Sequence, residues 1–181
     1  SEIEFIQGKN NKTLTDAIKS WKIDGENLKR FQVAFRAASA LDNFIKGQEK
    51  DEIIFDFLSN FFDKLKSQKV TTGNQRLLYF YFFWNLASLQ GYHAQIKNCA
   101  VCKGKINPYN IYFSAKDGGV ICKLCPSRDK GAKKINSDVV KVLRLIFDKD
   151  WNTISRLRVQ APSQNLLEEI SENSLRAFCP S

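Results

Sequence analysis

The chain of 181 residues has no methionine, one histidine, four prolines and nine glycines. Without methionine there is no natural initiator, and we interpret Ser1 as the product of a cut or a cloning junction. The single histidine, His93, leaves no Ser/His/Asp or His/Cys arrangement of the kind that supports nucleophilic catalysis. A Gly-x-x-x-x-Gly-Lys-Ser/Thr loop for cradling phosphates is also missing. These absences argue against an enzyme.

Long apolar runs are missing as well. The most apolar stretch covers 75–90, where Asn85 and Ser88 interrupt it, whereas a bilayer requires about 20 consecutive apolar residues. Because apolar residues cover nearly every side of this stretch at helical spacing, it predicts a buried core helix rather than a membrane span. The sequence shows no secretory signal peptide.

Five cysteines are present, and four of them form two close pairs. Cys99-x-x-Cys102 and Cys122-x-x-Cys125 are separated by nineteen residues, a spacing typical of a zinc site with four thiolate ligands. Four such ligands fill the coordination sphere of zinc, so the ion would hold a fold together without catalysing a reaction. Glycine accepts the backbone angles of tight turns, and Gly104 and Gly118-Gly119 stand where such turns are expected.

Two other uses of these cysteines remain open, an iron–sulfur cluster and a pair of disulfides. Disulfides belong mainly to small secreted proteins, whereas a chain of this length can bury a core without them. Cys179 is interpreted as a spare thiol. His93 is expected to be a helix-end or turn residue rather than a ligand.

The pattern of apolar residues predicts a mainly α protein. Residues 2–7 alternate as a strand does, and because no second strand is evident before the cysteines, we interpret it as the last strand of a domain that is otherwise absent. Thr13 is expected to cap a short helix. Helical spacing places Leu28, Phe31, Phe35, Ala38 and Leu41 on one apolar face. The predicted helices cover 13–21, 26–44, 51–65, 75–90, 137–147 and 163–178, with a helical turn over 153–159.

Positive charge is concentrated in the middle of the chain. Residues 97–149 hold 12 basic and 4 acidic side chains, whereas 1–96 hold 13 and 11. Such a zone suits phosphate backbones or an acidic protein surface, although a solvated lysine-rich surface would look the same. The candidate DNA-binding residues are Arg128, Lys130, Lys133, Lys134, Lys141 and Arg144.

Several motifs occur in a recognisable order. A helical region ends in Leu86-x-x-Leu89-x-Gly91, the first cysteine pair follows, and then comes Phe113-Ser114-x-x-x-Gly118-Gly119-x-x-Cys122-x-x-Cys125. This order resembles the RecO family of bacterial recombination mediators. The resemblance implies a helical bundle with an inserted four-cysteine zinc-binding lobe, preceded by a remnant β-strand of an OB-fold. The implied segments are 1–12 (OB-fold remnant), 13–95 (bundle), 96–128 (zinc lobe) and 129–181 (C-terminal helices completing the bundle).

The resemblance also implies a function without bond chemistry. Proteins of this family bind RecR and single-strand-binding protein (SSB), bind single-stranded DNA, promote RecA loading and anneal strands in the bacterial cytoplasm, near the nucleoid. Capture of the acidic, Phe-terminated SSB tail requires an apolar pocket beside basic groups. Lys29, Arg30, Arg36 and Arg76 are possible contacts. The alternative is a zinc-bearing adaptor for nucleic acid, the ribosome or a transcriptional partner.

Overall fold

The structure is a computed structural model that describes residues 3–7, 12–17, 28–45, 51–67, 69–107, 109–125 and 129–179, with the backbone alone for 3–17. Two antiparallel strands come first, β1 (Ile3–Gln7) and β2 (Lys12–Ala17). The expectation of an unpaired strand is therefore wrong, and so is the helix predicted to begin at Thr13. β-Branched threonines favour extended backbone, and pairing with β1 supplies the hydrogen bonds that a short helix would have made. Residues 18–21 of that predicted helix lie outside the described residues.

One buried helix organises the rest of the described chain. Helix α3 (Gln75–Leu89) buries every residue from Leu77 to Ala87, as its all-round apolar pattern predicts. The buried side-chain amide of Asn85 donates to the backbone carbonyls of Tyr81 and Ile146. Around α3 pack α1 (Leu28–Phe44), α2 (Glu52–Ser67), α4 (Ser137–Phe147), α5 (Trp151–Arg156) and α6 (Ala161–Phe178).

Helix α1 does not bury the face that carries its large apolar residues near the start of the helix. Leu28, Phe31 and Phe35 are exposed by 65%, 51% and 65%, so the prediction that they share the packed face is wrong. The buried side chains of α1 are Val33, Ala34, Ala37 and Ala40. Small side chains let α1 approach α3 closely, because the aromatic rings of α3 already fill the space between the two helices.

A small sheet forms the inner part of the inserted lobe. Strands β3 (Ile111–Ser114), β4 (Gly119–Cys122) and β5 (Lys133–Ile135) pair antiparallel in the order β4-β3-β5. The sheet packs on α3 through Phe113, whose ring meets the indole of Trp84 edge-on at 5.6 Å. Tyr92, just past α3, stacks on Phe178 at 4.2 Å and donates to its carbonyl. The lobe is thus fixed against the helices.

Helices α4 and α5 each begin with a capping side chain. Asn136 accepts a hydrogen bond from the Val139 amide at the start of α4, and Asp150 accepts one from Thr153 at the start of α5. The Thr153 hydroxyl and amide together lower the pKa of Asp150. No helix in the described part of the chain is long and apolar enough to cross a membrane.

Candidate metal centre

Four cysteine sulfurs meet at the outer end of the lobe. The Sγ atoms of Cys99, Cys102, Cys122 and Cys125 all lie within 4.8 Å of one another. Those of Cys102 and Cys122 are 3.9 Å apart. A tetrahedral ion with metal–sulfur bonds of about 2.3 Å separates its sulfurs by about 3.8 Å. The cluster therefore has the dimensions of a site that could bind one metal ion, and its four cysteines are free of disulfide bonds.

Backbone hydrogen bonds shape the first turn of the site. The Cys99 amide donates to the Gly104 carbonyl at 2.9 Å, and the Lys103 amide donates to the Cys99 carbonyl at 2.9 Å. Lys103 takes the left-handed conformation with φ of 60°, so the expectation that Gly104 supplies this angle is wrong. The Gly-Gly pair does behave as expected, with φ of 75° at Gly118 and 143° at Gly119.

The thiols differ in their electrostatic surroundings. Burial alone would raise the pKa of Cys99, but the backbone N–H groups of Cys102, Cys122 and Val101 outweigh it and lower this pKa to about 6. Hydrogen bonds with the side chains of Cys102 and Cys122 raise the pKa of Cys125 to about 12. Four adjacent thiolates repel one another unless a cation lies between them, so this arrangement has the chemistry of a soft-metal site.

Gly119 joins the lobe to the end of the bundle. A Cβ atom at this position would lie 2.2 Å from the carbonyl oxygen of Gln95 and 2.6 Å from its nitrogen. The close approach is needed because the Gln95 amide donates to Gly118 and its carbonyl accepts from Val120, both at 2.8 Å. Only glycine permits two backbones to approach this closely.

His93 and Cys179, which were predicted not to be metal ligands, both lie outside the cluster. His93 follows α3, where its Nδ1 is 2.8 Å from the Ser88 hydroxyl, as expected of a helix-end residue. Cys179 follows α6 and is not part of the group of four sulfurs.

The candidate DNA-binding residues are distributed over two elements and a loop. Lys130 is exposed in the turn before β5. Lys133 and Lys134 are consecutive in β5 and so face opposite sides of the sheet. Lys133 pairs with Glu169 of α6 at 3.3 Å, whereas Lys134 is exposed and opposite Tyr112 in the register.

The remaining two residues lie on α4, and one is outside the described residues. Lys141 pairs with Asp138 on the surface at 3.1 Å, and Arg144 donates to the Ile96 carbonyl at 3.4 Å. Arg128 lies outside the described residues. The structure therefore does not bring the described members of this set together on one face.

A groove that the sequence does not reveal lies between α1, α3 and α6. It has a volume of about 520 Å³, and the aromatic rings of Phe31, Phe35 and Tyr79 line it. Arg36 and Arg76 line it too, and both donate to the carboxylate of Glu168. Of the four basic residues that the sequence indicates for an acidic tail, the groove includes these two, and Lys29 and Arg30 do not line it.

The aromatic and cationic groups of this groove are in direct contact. The Arg36 guanidinium lies over the ring of Tyr79, 3.7 Å from its centroid. Burial raises the pKa of the Tyr79 phenol, with Arg36 opposing the shift, so the phenol stays neutral at neutral pH. Arg76 donates in addition to the Asn165 side chain at 2.9 Å. The apolar spacing of α1 was the sequence signal that could have revealed the groove, but these residues were predicted to lie in the core.

The fold and the cysteine cluster together define a class of protein, a helical bundle built on one buried helix with an inserted four-thiol lobe. The chain belongs to the family described as Recombination protein O C terminal, whose profile matches residues 25–177.

Curated relatives agree with this assignment. The protein named DNA repair protein RecO of Dehalococcoides mccartyi is 29% identical over 180 residues, covering 98% of this chain and 67% of the relative. Its namesake in Caldanaerobacter subterraneus subsp. tengcongensis is 27% identical over 144 residues, covering 80% of this chain and 56% of the relative. The chain thus spans about two thirds of the length of the Dehalococcoides protein.

Proposed function

We propose that the chain acts in DNA repair as part of a recombination mediator that binds SSB, RecR and DNA, promotes RecA loading and anneals complementary strands. In this role it exchanges one binding partner for another and makes or breaks no covalent bond. Family membership supports the general role in DNA repair and recombination. The groove between α1, α3 and α6 is the observation that supports one part of the finer proposal, the capture of the SSB tail.

The groove has the two properties that capture of an acidic, Phe-terminated tail requires. Phe31 and Phe35 are large and exposed, so they offer an apolar surface on which a terminal phenylalanine can be buried. Arg36 and Arg76 offer guanidinium groups for the tail's carboxylates, with which arginine forms charge-assisted hydrogen bonds. The groove and its charges are therefore complementary to such a tail.

For the metal we propose one structural Zn²⁺ ion, held by Cys99, Cys102, Cys122 and Cys125. Soft thiolate donors in a tetrahedral arrangement select zinc or an iron–sulfur centre, and an iron–sulfur cluster would spread its ligands around several metal atoms. A single ion suits the 3.9 Å separation of the Cys102 and Cys122 sulfurs. A bound zinc ion would cross-link the two cysteine turns.

DNA contacts are proposed for the candidate basic residues, with the exposed Lys130 and Lys134 as the leading described members. Lys133, Lys141 and Arg144 have partners within the protein, so they are expected to contribute less, and Arg128 completes the proposed set. The same exposed lysines favour the second candidate function, a zinc-bearing nucleic-acid adaptor.

Fluorescence anisotropy of a labelled acidic peptide ending in phenylalanine tests the proposal. We expect micromolar binding by the zinc-loaded chain, lost when the peptide lacks its terminal phenylalanine and weakened by Arg76→Gln. Lys66→Gln removes an exposed charge from α2 and serves as the control. If the peptide does not bind while DNA binds with a strong salt dependence, the adaptor function replaces the mediator function.

A further inference from the structure

The outer end of the metal lobe exposes three apolar side chains. Tyr109 and Leu124 are exposed by 84% and 89%, the highest values among the large apolar residues that the structure describes, and Val101 is exposed by 48%. None of them contributes to the groove between α1, α3 and α6. Isolated apolar residues on a surface need no explanation, but several at one place indicate an interaction site.

The topology places these residues at the same end of the lobe. Val101 lies between Cys99 and Cys102, and Leu124 lies between Cys122 and Cys125, so both belong to the turns that hold the sulfur cluster. The β3–β4 register ends with Ile111 opposite Cys122. Tyr109 precedes β3 by two residues, so it lies near the end of the sheet from which the Cys122–Cys125 turn departs. We call Val101, Tyr109 and Leu124 the lobe tip.

Three exposed lysines are near the lobe tip in the sequence, and the ammonium of one of them, Lys103, donates to the Ala100 carbonyl at 2.7 Å. Lys103 and Lys123 lie within two residues of Val101 and Leu124, and Lys105 follows the first turn; all three are exposed. Within the described residues, no carboxylate is close enough to form a salt bridge with any of them. Their charge therefore outweighs the net charge of about −2 that zinc with four thiolates would carry.

This combination matches the chemistry of an unpaired nucleic-acid strand. A single strand repeats a phosphate and a flat base at every nucleotide, and proteins bind it with cations for the phosphates and aromatic rings for the bases. A duplex buries its base faces in the stack, so the exposed ring of Tyr109 would find nothing to stack on there. An acidic tail that ends in one phenylalanine would satisfy the lysines but offers a single flat apolar partner, whereas a single strand offers one beside every phosphate.

We propose that the lobe tip is a contact surface for single-stranded DNA, with a base stacked on Tyr109, Leu124 and Val101 packed beside it, and Lys103, Lys105 and Lys123 on the flanking phosphates. The identity of the strand as DNA rests on the proposed role in DNA repair. The residues of this surface differ from those that line the groove and from the candidate basic residues that the sequence indicated. This contact would give the lobe a function in addition to metal binding.

The test compares a thymidine oligonucleotide with an abasic strand of the same length and charge, using anisotropy with the zinc-loaded chain. We expect the chain to bind the thymidine strand more tightly, and Tyr109→Ser to lower that affinity about fivefold or more, as loss of one stacking ring does. The abasic strand should bind wild type and variant equally. Tyr109→Phe should retain the preference, and Leu124→Ser should reduce it.

Matched controls separate this surface from general effects. Ile53→Ser removes an apolar side chain that is 68% exposed on α2 and should not change DNA binding. Zinc content measured for each variant verifies that the lobe is intact. Equal affinity for thymidine and abasic strands, or no loss with Tyr109→Ser, would overturn the inference. Binding of the acidic peptide at the lobe tip, shown by its loss with Tyr109→Ser, would also overturn it.

The two proposals fail in different ways. Peptide binding that depends on Arg76, combined with DNA binding that is indifferent to Tyr109, would remove the lobe-tip contact and leave the mediator function standing. Base-dependent DNA binding through Tyr109 without any peptide binding would leave the lobe-tip contact standing and remove the mediator function.

Discussion

The Arg76 guanidinium lies 3.2 Å from the Glu168 carboxylate, across the groove between α3 and α6. Arg36 of α1 donates to the other oxygen of the same carboxylate. The free protein thus places one of its own carboxylates between the two cations that an acidic tail would need. Any acidic ligand of the groove must share these arginines with Glu168 or displace it.

The first prediction concerns this competition. Glu168→Gln should strengthen binding of the acidic peptide about three- to tenfold, because both arginines then lack an internal ionic partner; a partly exposed ion pair is worth roughly 1 kcal/mol. Anisotropy titration of the peptide measures the change. Glu169→Gln, which removes the neighbouring carboxylate that pairs with Lys133, is the control and should leave the affinity as it is. Weaker binding by Glu168→Gln would mean that this residue orients the arginines instead of competing for them.

Gly119 provides a second prediction, on stability. Gly119→Ala should destabilise the lobe by about 2–4 kcal/mol more than Gly118→Ala, because the new methyl group would meet the Gln95 backbone at 2.2 Å. Both positions have positive φ, so both variants carry the cost of a left-handed alanine, about 1–2 kcal/mol. Only Gly119 adds the clash, since nothing lies within 4 Å of a Cβ at Gly118. Urea unfolding of the two variants measures the difference, and equal midpoints would contradict it.

The cysteine cluster makes a third prediction. Cys99→Ser should abolish stoichiometric zinc binding and loosen residues 97–125, with a loss of several kcal/mol of metal-coupled folding energy. Cys99 is the buried member of the four and accepts a hydrogen bond from the Cys122 amide at 3.4 Å. Metal analysis and limited proteolysis measure both effects. Cys179→Ser, outside the cluster, should retain one zinc per chain; full zinc content in Cys99→Ser would exclude the proposed ligand set.

Lys133 and Lys134 allow a fourth prediction, on DNA binding. Lys134→Gln should weaken binding to single-stranded DNA of any sequence and reduce the slope of log affinity against log salt by about 0.7, the value for one lost phosphate contact with a single strand. Lys133→Gln should change the slope less, because Glu169 already pairs with this lysine. Titrations between low and physiological salt provide the two slopes. Identical behaviour of the variants and the wild type would show that β5 is a solvated surface.

Local signals were sufficient to predict several elements. The helix over 137–147 was predicted with the bounds that α4 has, and its buried residues have helical spacing. The all-round apolar character of 75–90 indicated the central helix, since no other location tolerates so many aromatic side chains. The cysteine spacing predicted which four sulfurs would meet, because two short turns leave little freedom in how they pair.

Properties that depend on a partner elsewhere in the chain could not be read in this way. Which face of α1 is buried depends on how well it fits the rings of α3. The face with the small side chains of Ala34, Ala37 and Ala40 fits better than the face with large apolar side chains. Strand β5 is three residues long and is defined only by its pairing with β3. The groove requires Glu168, which is nearly a hundred positions from Arg76, to be placed by tertiary packing.

The backbone pairing around Gln95 has a mechanical consequence. On entering the lobe the chain is bonded to β4, and on leaving it the chain forms β5 against β3. Both crossings between helices and lobe are therefore cross-linked to one rigid sheet, and a hinge at either crossing would have to break backbone hydrogen bonds. We therefore expect a ligand in the groove and a ligand at the lobe tip to be held at a constant separation.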